Sequence, residues 1–534
     1  MSKNEYHLSS FSAPTVTGSL LKIFHFILKY FGWMGITYKL FTDSNLHLLR
    51  KHPIFLTPTL MPIKDQKDPE NTKAPDTSIL KNNEYREGYL KKVFTPTDVA
   101  NTLIKNIEHS QSTEVQLGAI IKYDKNDILK QAHASTERYR NNKSLGPLDG
   151  VPVAVKDEAD MLPYETSLGT SFVNIKPDKD AFSVGKLRSA GAILFAKANM
   201  HENPYSPNHV VGGSSGGSAC LVSSKLCPIA VGADGGGSIR IPSSFCGVYG
   251  LKPTTSRVST NGSFPLALTV GVVGPIADTA SNLALAYSIM AGPNPEDPYS
   301  LFQNRVSIKS FNNINDLSDL KIGIYRPYFS HAAKDIVESC YDFLRKLEKC
   351  GAKIIDMEIP HLEKLRVAHS NAITSEMLSG FSAFDMNKFS LPTQCTLHVV
   401  KANLGARDYI DTLKYKTLGI KVFEDIFKEF DLIVSPSTGI TAPEIHSNSK
   451  SVGISDLTNS GATMRFIFLS NLLGFPSVTV PIGFDKKGLP VGFQFQAKWY
   501  NEDLLLRMAN FSENINRESL QQVTAKINFD NLRK

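Results

Sequence analysis

The sequence predicts an α/β fold: a large, mixed, twisted sheet covered by helices on both faces, preceded by an amphipathic N-terminal helix. Three observations carry this. Short apolar runs of strand character alternate with helical stretches, as in PVAV at 152, FSVGKLRSAGA at 182, AILFA at 192, PIAVG at 228, DLIVS at 431 and SVTVPIGF at 477. The segment HAAKDIVESCYDFLRKLEKCGAKIIDMEI reads as a helix, a glycine stop at Gly351 and a strand, which is one complete α/β unit. The chain has 534 residues, 42% of them hydrophobic, enough for a large core, and shows no internal repeat or low-complexity tract.

From the N-terminus, residues 1–56 form a segment whose most apolar part is LLKIFHFILKYFGWMGITYKLF, about 20–41. Lys22, His25 and Lys29 fall three and four apart and share a helix face. Burying two lysines in hydrocarbon would cost about 2.5–3.5 kcal/mol each, so a spanning helix is disfavoured and a helix lying in the membrane interface fits better. In that arrangement Phe24, Ile27, Leu28, Phe31 and Met34 enter the lipid while Lys22 and Lys29 face anionic headgroups, although Phe26 and Trp33 fall nearer the lysine side. The competing expectation is a helix packed on the protein's own core. No small-residue cleavage site follows, which argues against a removed signal peptide. Residues 57–91, rich in Pro, Lys, Asp and Asn, read as a surface linker.

The main globular domain is expected over 92–515, with 516–534 as a tail. Its first helix is announced by FTPTDVANTLIKNIEHS: Thr95 as cap, Pro96 at the first helical position, Asp98 three after the cap, and an apolar stripe of Val99, Leu103, Ile104 and Ile107. Polar stretches near 291–318 and 443–460 read as inserted loops. The balance of 58 Lys and Arg against 51 Asp and Glu gives +7 over a long chain, too diffuse a field to indicate nucleic-acid binding. Cys220, Cys227, Cys246, Cys340, Cys350 and Cys395 form no CxxC pair and no zinc spacing, so no metal is expected. They read as reduced, mostly buried thiols, which suggests a reducing compartment, so that any catalytic portion is expected to face the cytosol.

Two Gly/Ser-rich segments flank one short strand: GGSSGGSAC from Gly212 and GADGGGSIRIPSSFCGVYGLKPT from Gly232. A glycine run bends freely and leaves its N–H groups pointing into a site, which makes an anion cradle. Neither segment matches the phosphate loop G-x-x-x-x-G-K-[ST] or a G-x-G-x-x-G turn. Ser238 is followed by Ile239 and Arg240, so the nucleophile elbow G-x-S-x-G is absent as well. Taken singly, a lysine after VPVAV reads as a solvated strand end, and a serine among glycines as a turn residue.

Together, VPVAVKD, GGSSGGSA and GADGGGSIRIPSSFCGVYGLKPT resemble the three core motifs of the amidase signature family. The resemblance runs from about Thr95 to about Asn510 and includes SNLLGFPSVTVPIGFDKKGLPVGFQ. KDEADMLPYETS and LCPIAVGADGGGSIRIPSS are most similar to plant-type fatty acid amide hydrolases, which act on N-acylethanolamines. The resemblance implies the family's fold and a serine hydrolase of carboxylic amides that needs no cofactor. It implies a triad of Lys156, Ser214 in a cis peptide, and Ser238 as nucleophile, and an oxyanion hole from the backbone N–H groups of Gly235, Gly236, Gly237 and Ser238. Ser214 and Gly235 to Ser238 thereby contact the substrate's reacting group. An unactivated hydroxyl needs a base, and a lysine serves only when neutral, a form that burial favours. Ser215 is expected to orient Lys156, and Asp234 and Arg240 to brace the loop, while Cys246 and Lys252 read as structural.

The segment NMHENPYSPNHVVGGSS, where Glu202 runs directly into Asn203, is shorter than the family's usual form and lies where members line the cleft. Three functions follow as expectations. The first is a membrane-associated hydrolase whose partner is a lipid amide. The second is a soluble amidase or a glutamine-hydrolysing subunit of amidotransferase type. The third is a catalytically silent lipid-binding relative. A homodimer stays open.

Overall fold

The computed structural model describes residues 15–32, 35–62, 84–112, 117–199, 202–449 and 453–521, together with 75, 77 and 80. Its centre is an eleven-stranded mixed sheet. In chain order the strands are β1 (Ile120–Lys122), β2 (Pro152–Lys156), β3 (Ile193–Ala198), β4 (Ile229–Asp234), β5 (Tyr249–Lys252), β6 (Val272–Ala277), β7 (Lys321–Ile324), β8 (Lys353–Asp356), β9 (Leu432–Pro436), β10 (Ser477–Phe484) and β11 (Pro490–Ala497). Their spatial order is β8-β7-β9-β11-β10-β5-β6-β4-β2-β3-β1. β2 runs parallel to both β3 and β4, and β7 to both β8 and β9, whereas β5, β6, β10 and β11 pair antiparallel.

Alternation along the central strands explains why both faces are covered. Val153 and Val155 of β2, with Ile229 and Val231 of β4, enter one core cluster, while Ala154 and Ala230 enter another on the opposite face. The apolar runs at 152, 192, 228, 431 and 477 are all strands, and FSVGKLRS at 182 is a helix. The expected α/β unit is a helix at Lys334–Lys349, Gly351 at φ +99°, and β8. Thr95 caps the helix Pro96–Ser110 with a reciprocal bond to Asp98, and Val99, Leu103, Ile104 and Ile107 are its buried stripe.

Three helices pack together beside the sheet domain: Leu362–Gly380 against both Leu391–Asn403 and Ala406–Glu429. With the N-terminal helix Gly18–Phe31 as α1, these are α2, α3 and α4. α1 packs on α3 through Leu21 and Leu28, seven residues apart on one face, which meet Cys395 with Phe24 partly buried beside them. The outward apolar face is therefore Leu20, Ile23, Phe26, Tyr30 and Phe31, all exposed. This differs from the expected lipid-facing set: Leu28 is turned inward by the partner α3, Phe31 is exposed as expected, and Met34 and Trp33 lie outside the described residues.

The chain after α1 is tied to α4 at the start of the expected linker. Tyr415 Oη donates to the His52 carbonyl, Thr417 Oγ1 to the Thr57 carbonyl, and Lys416 Nζ to the Leu60 carbonyl at 2.9 Å. Further along, Glu84–Leu90 is helical, and Tyr89 donates to the Gly150 carbonyl at 2.8 Å. Among the described residues no helix is long and apolar enough to cross a membrane.

The short segment after β3 closes as a small hairpin, Glu202–Asn203 against Ser206–Val210. The buried Asn203 amide donates to the carbonyls of Val210 and Phe245, at 3.1 and 2.9 Å. Val210 N–H donates to the Pro443 carbonyl and Ile445 N–H to that of Asn208, which fixes the hairpin to the loop 443–445.

Candidate active site

Five buried residues, Pro-Val-Ala-Val-Lys, make β2, so the strand carries Lys156 from the core to the strand's C-terminal end with its side chain only 9% exposed. Lys156 Nζ lies 2.7 Å from Ser214 Oγ, 3.3 Å from the Ala233 carbonyl and 2.9 Å from Glu158 Oε2. All three can accept an N–H from Nζ, and to act as a base toward Ser214 the amine would keep donating to Ala233 and Glu158 and turn a lone pair to the hydroxyl. Ser214 is exposed and joined to Gly213 by a cis peptide bond.

Ser215 begins the helix Gly216–Ser223. Its hydroxyl donates to the Ala233 carbonyl and accepts the Ala233 N–H, both at 3.1 Å. It thus acts on the carbonyl that also receives Lys156, rather than on Lys156 itself. Ser215 N–H donates to the Ser238 carbonyl at 3.2 Å, which holds the two Gly/Ser-rich segments side by side. A glycine at 217 is required by a different approach, that of this helix to the end of β3, where a Cβ would stand 1.6 Å from the Asn199 carbonyl oxygen.

The loop after β4 is built around one buried ion pair. Asp234 and Arg240 are both fully buried, with Nε–Oδ2 at 3.0 Å and Nη2–Oδ1 at 3.1 Å. Arg240 also donates to the Ile467 carbonyl, Ser470, Asn471 and Gln494, leaving its planar fork fully used. Asp234 in turn accepts the N–H groups of Gly237 at 2.6 Å and Ile239 at 3.2 Å. Burial alone would raise the Asp234 carboxyl, but the guanidinium and the Asn471 amide hold it well below the usual carboxylate range.

This wiring refines the expected oxyanion hole. The Gly237 N–H is occupied by Asp234, whereas those of Gly235, Gly236 and Ser238 donate to no protein acceptor among the described residues. Gly237 has φ +97°, and a Cβ there would press Ile241 and Ile467, so a glycine is needed for this turn. Ser238 is half-buried.

Sequence reasoning missed two residues. Glu158 stands two after Lys156 in KDE, a visible but ambiguous signal. His369 of α2 donates Nε2–H to the Gly235 carbonyl at 2.9 Å, and a lone histidine on a helix carries no spacing signal. Lys252, read as structural, is fully buried; burial and then Arg240 push it down to about 7, and Nζ donates to the Pro253 carbonyl. A cavity of about 700 Å³ opens between α2, α3 and α4, lined by Pro265, Leu268, Glu376, Gly380, Val400 and Tyr409; none of Lys156, Ser214 and Ser238 lines it.

The amidase family model matches residues 98–506. Fatty acid amide hydrolase of Arabidopsis thaliana is 36% identical over 453 residues, 80% of this chain and 74% of that protein. A glutamyl-tRNA(Gln) amidotransferase component of Brachyspira hyodysenteriae is 30% identical over 480 residues, 80% of this chain and 96% of that protein. Among solved structures, the peptide amidase of Stenotrophomonas maltophilia is similar in fold, with a TM-score of 0.68 at 23% identity over 83% of this chain and 98% of that one. The chain belongs to the amidase signature family and is an amide-hydrolysing enzyme.

Proposed function

We propose that this enzyme hydrolyses lipid amides of the N-acylethanolamine class to a free fatty acid and an amine, with Ser238 as nucleophile and Ser214 and Lys156 as the proton relay. The observation that carries the chemistry is the 2.7 Å contact between Lys156 Nζ and Ser214 Oγ beside the loop of Ser238. The substrate class rests on the similarity to plant fatty acid amide hydrolases, such as those of Arabidopsis thaliana and Medicago truncatula, each 36% identical. A cavity of about 700 Å³ falls in the size range of ligand sites and has apolar wall residues suited to an acyl chain.

In this mechanism Ser238 Oγ forms a bond to the amide carbon as its proton passes to Ser214 Oγ and that of Ser214 to Lys156 Nζ. The carbonyl π electrons move to oxygen, facing the free N–H groups of the glycine loop. The C–N bond then breaks, and the relay returns a proton to the departing nitrogen, without which an amide anion would have to leave. Water enters by the same relay and releases the acid from the acyl-enzyme. The test is turnover of an acylethanolamide series. Turnover of long-chain members is expected; steady glutamine hydrolysis with none of that series would instead favour the amidotransferase-type reading, and binding without turnover at any pH a silent relative.

The same reading includes peripheral membrane association through residues 20–41, with the catalytic domain facing the cytosol. The exposed row Leu20, Ile23, Phe26, Tyr30 and Phe31, flanked by the exposed Lys22 and Lys29, supports it. Full-length protein is expected to float with anionic liposomes, and Ile23→Glu/Phe26→Glu to stay at the bottom of the gradient. Equal flotation of the two, or none by either, would refute the anchor.

A further inference from the structure

We propose that His369 is a positioning residue for the oxyanion site: it holds the Gly235 carbonyl toward α2 and so turns the Gly236 N–H the opposite way, toward the substrate oxygen. The inference rests on the proposed Ser238 chemistry and adds to it a residue from a helix more than a hundred positions downstream. In a trans peptide the carbonyl and the following N–H point in opposite directions, so fixing one fixes the other. Here the carbonyl of Gly235 is fixed by His369 Nε2 at 2.9 Å, and the Gly236 N–H is among those with no protein acceptor in the described residues.

The imidazole is in turn held from several sides. His369 is 1% exposed. Its ring lies 6.5 Å from that of Phe468, and a Cβ built on Gly236 would meet His369 Cε1 at 3.3 Å, Ile373 at 3.2 Å and Met464 at 3.2 Å. The loop is therefore clamped twice: Asp234 takes the Gly237 N–H from below, and His369 takes the Gly235 carbonyl from α2. The two clamps hold adjacent peptide units, and the one held by His369 through its carbonyl carries the Gly236 N–H, which is left to act. Burial pushes the imidazole down to about 4, so at neutral pH it is uncharged, and because a carbonyl only accepts, the tautomer facing it carries the proton on Nε2.

A glycine loop without such a clamp could rotate this peptide at little cost, and an oxyanion donor acts only when aimed before the charge appears. His369→Leu removes the donor with an apolar side chain of modest volume change, whereas His369→Gln retains an N–H that can reach the same carbonyl. Full removal of one oxyanion donor costs about 10²–10³ in kcat, and loss of its aim alone is expected to cost roughly ten- to a hundredfold. The experiment measures kcat and KM on the best amide of the acylethanolamide series, and Ki for the trifluoromethyl ketone that mimics its tetrahedral adduct. For His369→Leu the expected result is a loss in kcat with KM within about twofold, and an equal-fold loss in ketone affinity. His369→Gln should recover most of both. Wild-type kcat in the leucine variant, a kcat loss with unchanged ketone affinity, or equal losses in the two variants would overturn the assignment. Thermal melts identify variants that do not fold, and if His369→Leu is one of them, His369→Asn, whose shorter amide falls short of the carbonyl, takes its place. A Ser238→Ala control that kept full turnover would instead sink the underlying nucleophile reading and leave the clamp geometry untouched.

Discussion

Ser238→Ala is expected to lower kcat/KM for any amide substrate by roughly 10⁴-fold or more and to abolish covalent labelling by a fluorophosphonate. The size of the effect follows from what the residue supplies. Without Oγ there is no atom to form the acyl-enzyme, and the relay from Ser214 to Lys156 has no proton to receive. Lys156→Ala and Ser214→Ala should then cost nearly as much as Ser238→Ala, and the triple variant little more than any single one, because the three act as a unit. Intact-mass measurement after labelling is the direct check: one adduct on the wild type, located to Ser238 by peptide mapping, and none on the variant. An adduct that survives Ser238→Ala, or additive losses among the three positions, would show that the nucleophile lies elsewhere.

Local signals made much of this architecture legible. The run Val-Pro-Val-Ala-Val reads as a strand buried on both faces, and it delivers Lys156 to the site; Thr95 and Asp98 announced their helix because a capping box is written in four residues. What escaped depends on contacts distant in sequence. The inward face of α1 is chosen by Cys395 and its neighbours in α3, more than 350 positions away, so periodicity gave an amphipathic helix but not its orientation. Lys252 could be buried because its amine reaches the carbonyl of the next residue, Pro253, and desolvation lowers its pKa, an outcome the local sequence does not reveal. The glycine loop showed four candidate N–H donors in sequence, and only the structure distinguishes Gly237, which serves Asp234, from the three that remain. His369 lies beyond any motif because its partner is a backbone carbonyl, and a carbonyl carries no side-chain signature.

Asp234→Ala should be the most destabilising single change at the site, at about 3–5 kcal/mol, a large share of the ~5–15 kcal/mol by which domains are stable. The carboxylate has two duties, and its loss removes both. It neutralises the Arg240 guanidinium, which is fully buried and would be left among neutral acceptors, and it receives the N–H groups of Gly237 and Ile239, which would be left buried without a partner. Replacing both charges, as in Asp234→Leu/Arg240→Leu, can recover stability because well-packed apolar groups often substitute for a buried pair. It should not recover turnover, since the Gly237 N–H then has no acceptor and the His369 contact alone cannot fix the loop that carries the Gly236 and Ser238 N–H groups. The pH dependence has a definite sign. The folded pKa of Asp234 lies below the ~3.9 of an unfolded aspartate, so its contribution is complete above that value and decays as pH falls beneath it. Urea melts should therefore show a wider gap between wild type and Asp234→Ala at pH 7 than at pH 3. A gap that is equal at both values, or a double variant that regains activity along with stability, would mean that the ion pair is scaffolding alone and does not set the geometry of the loop.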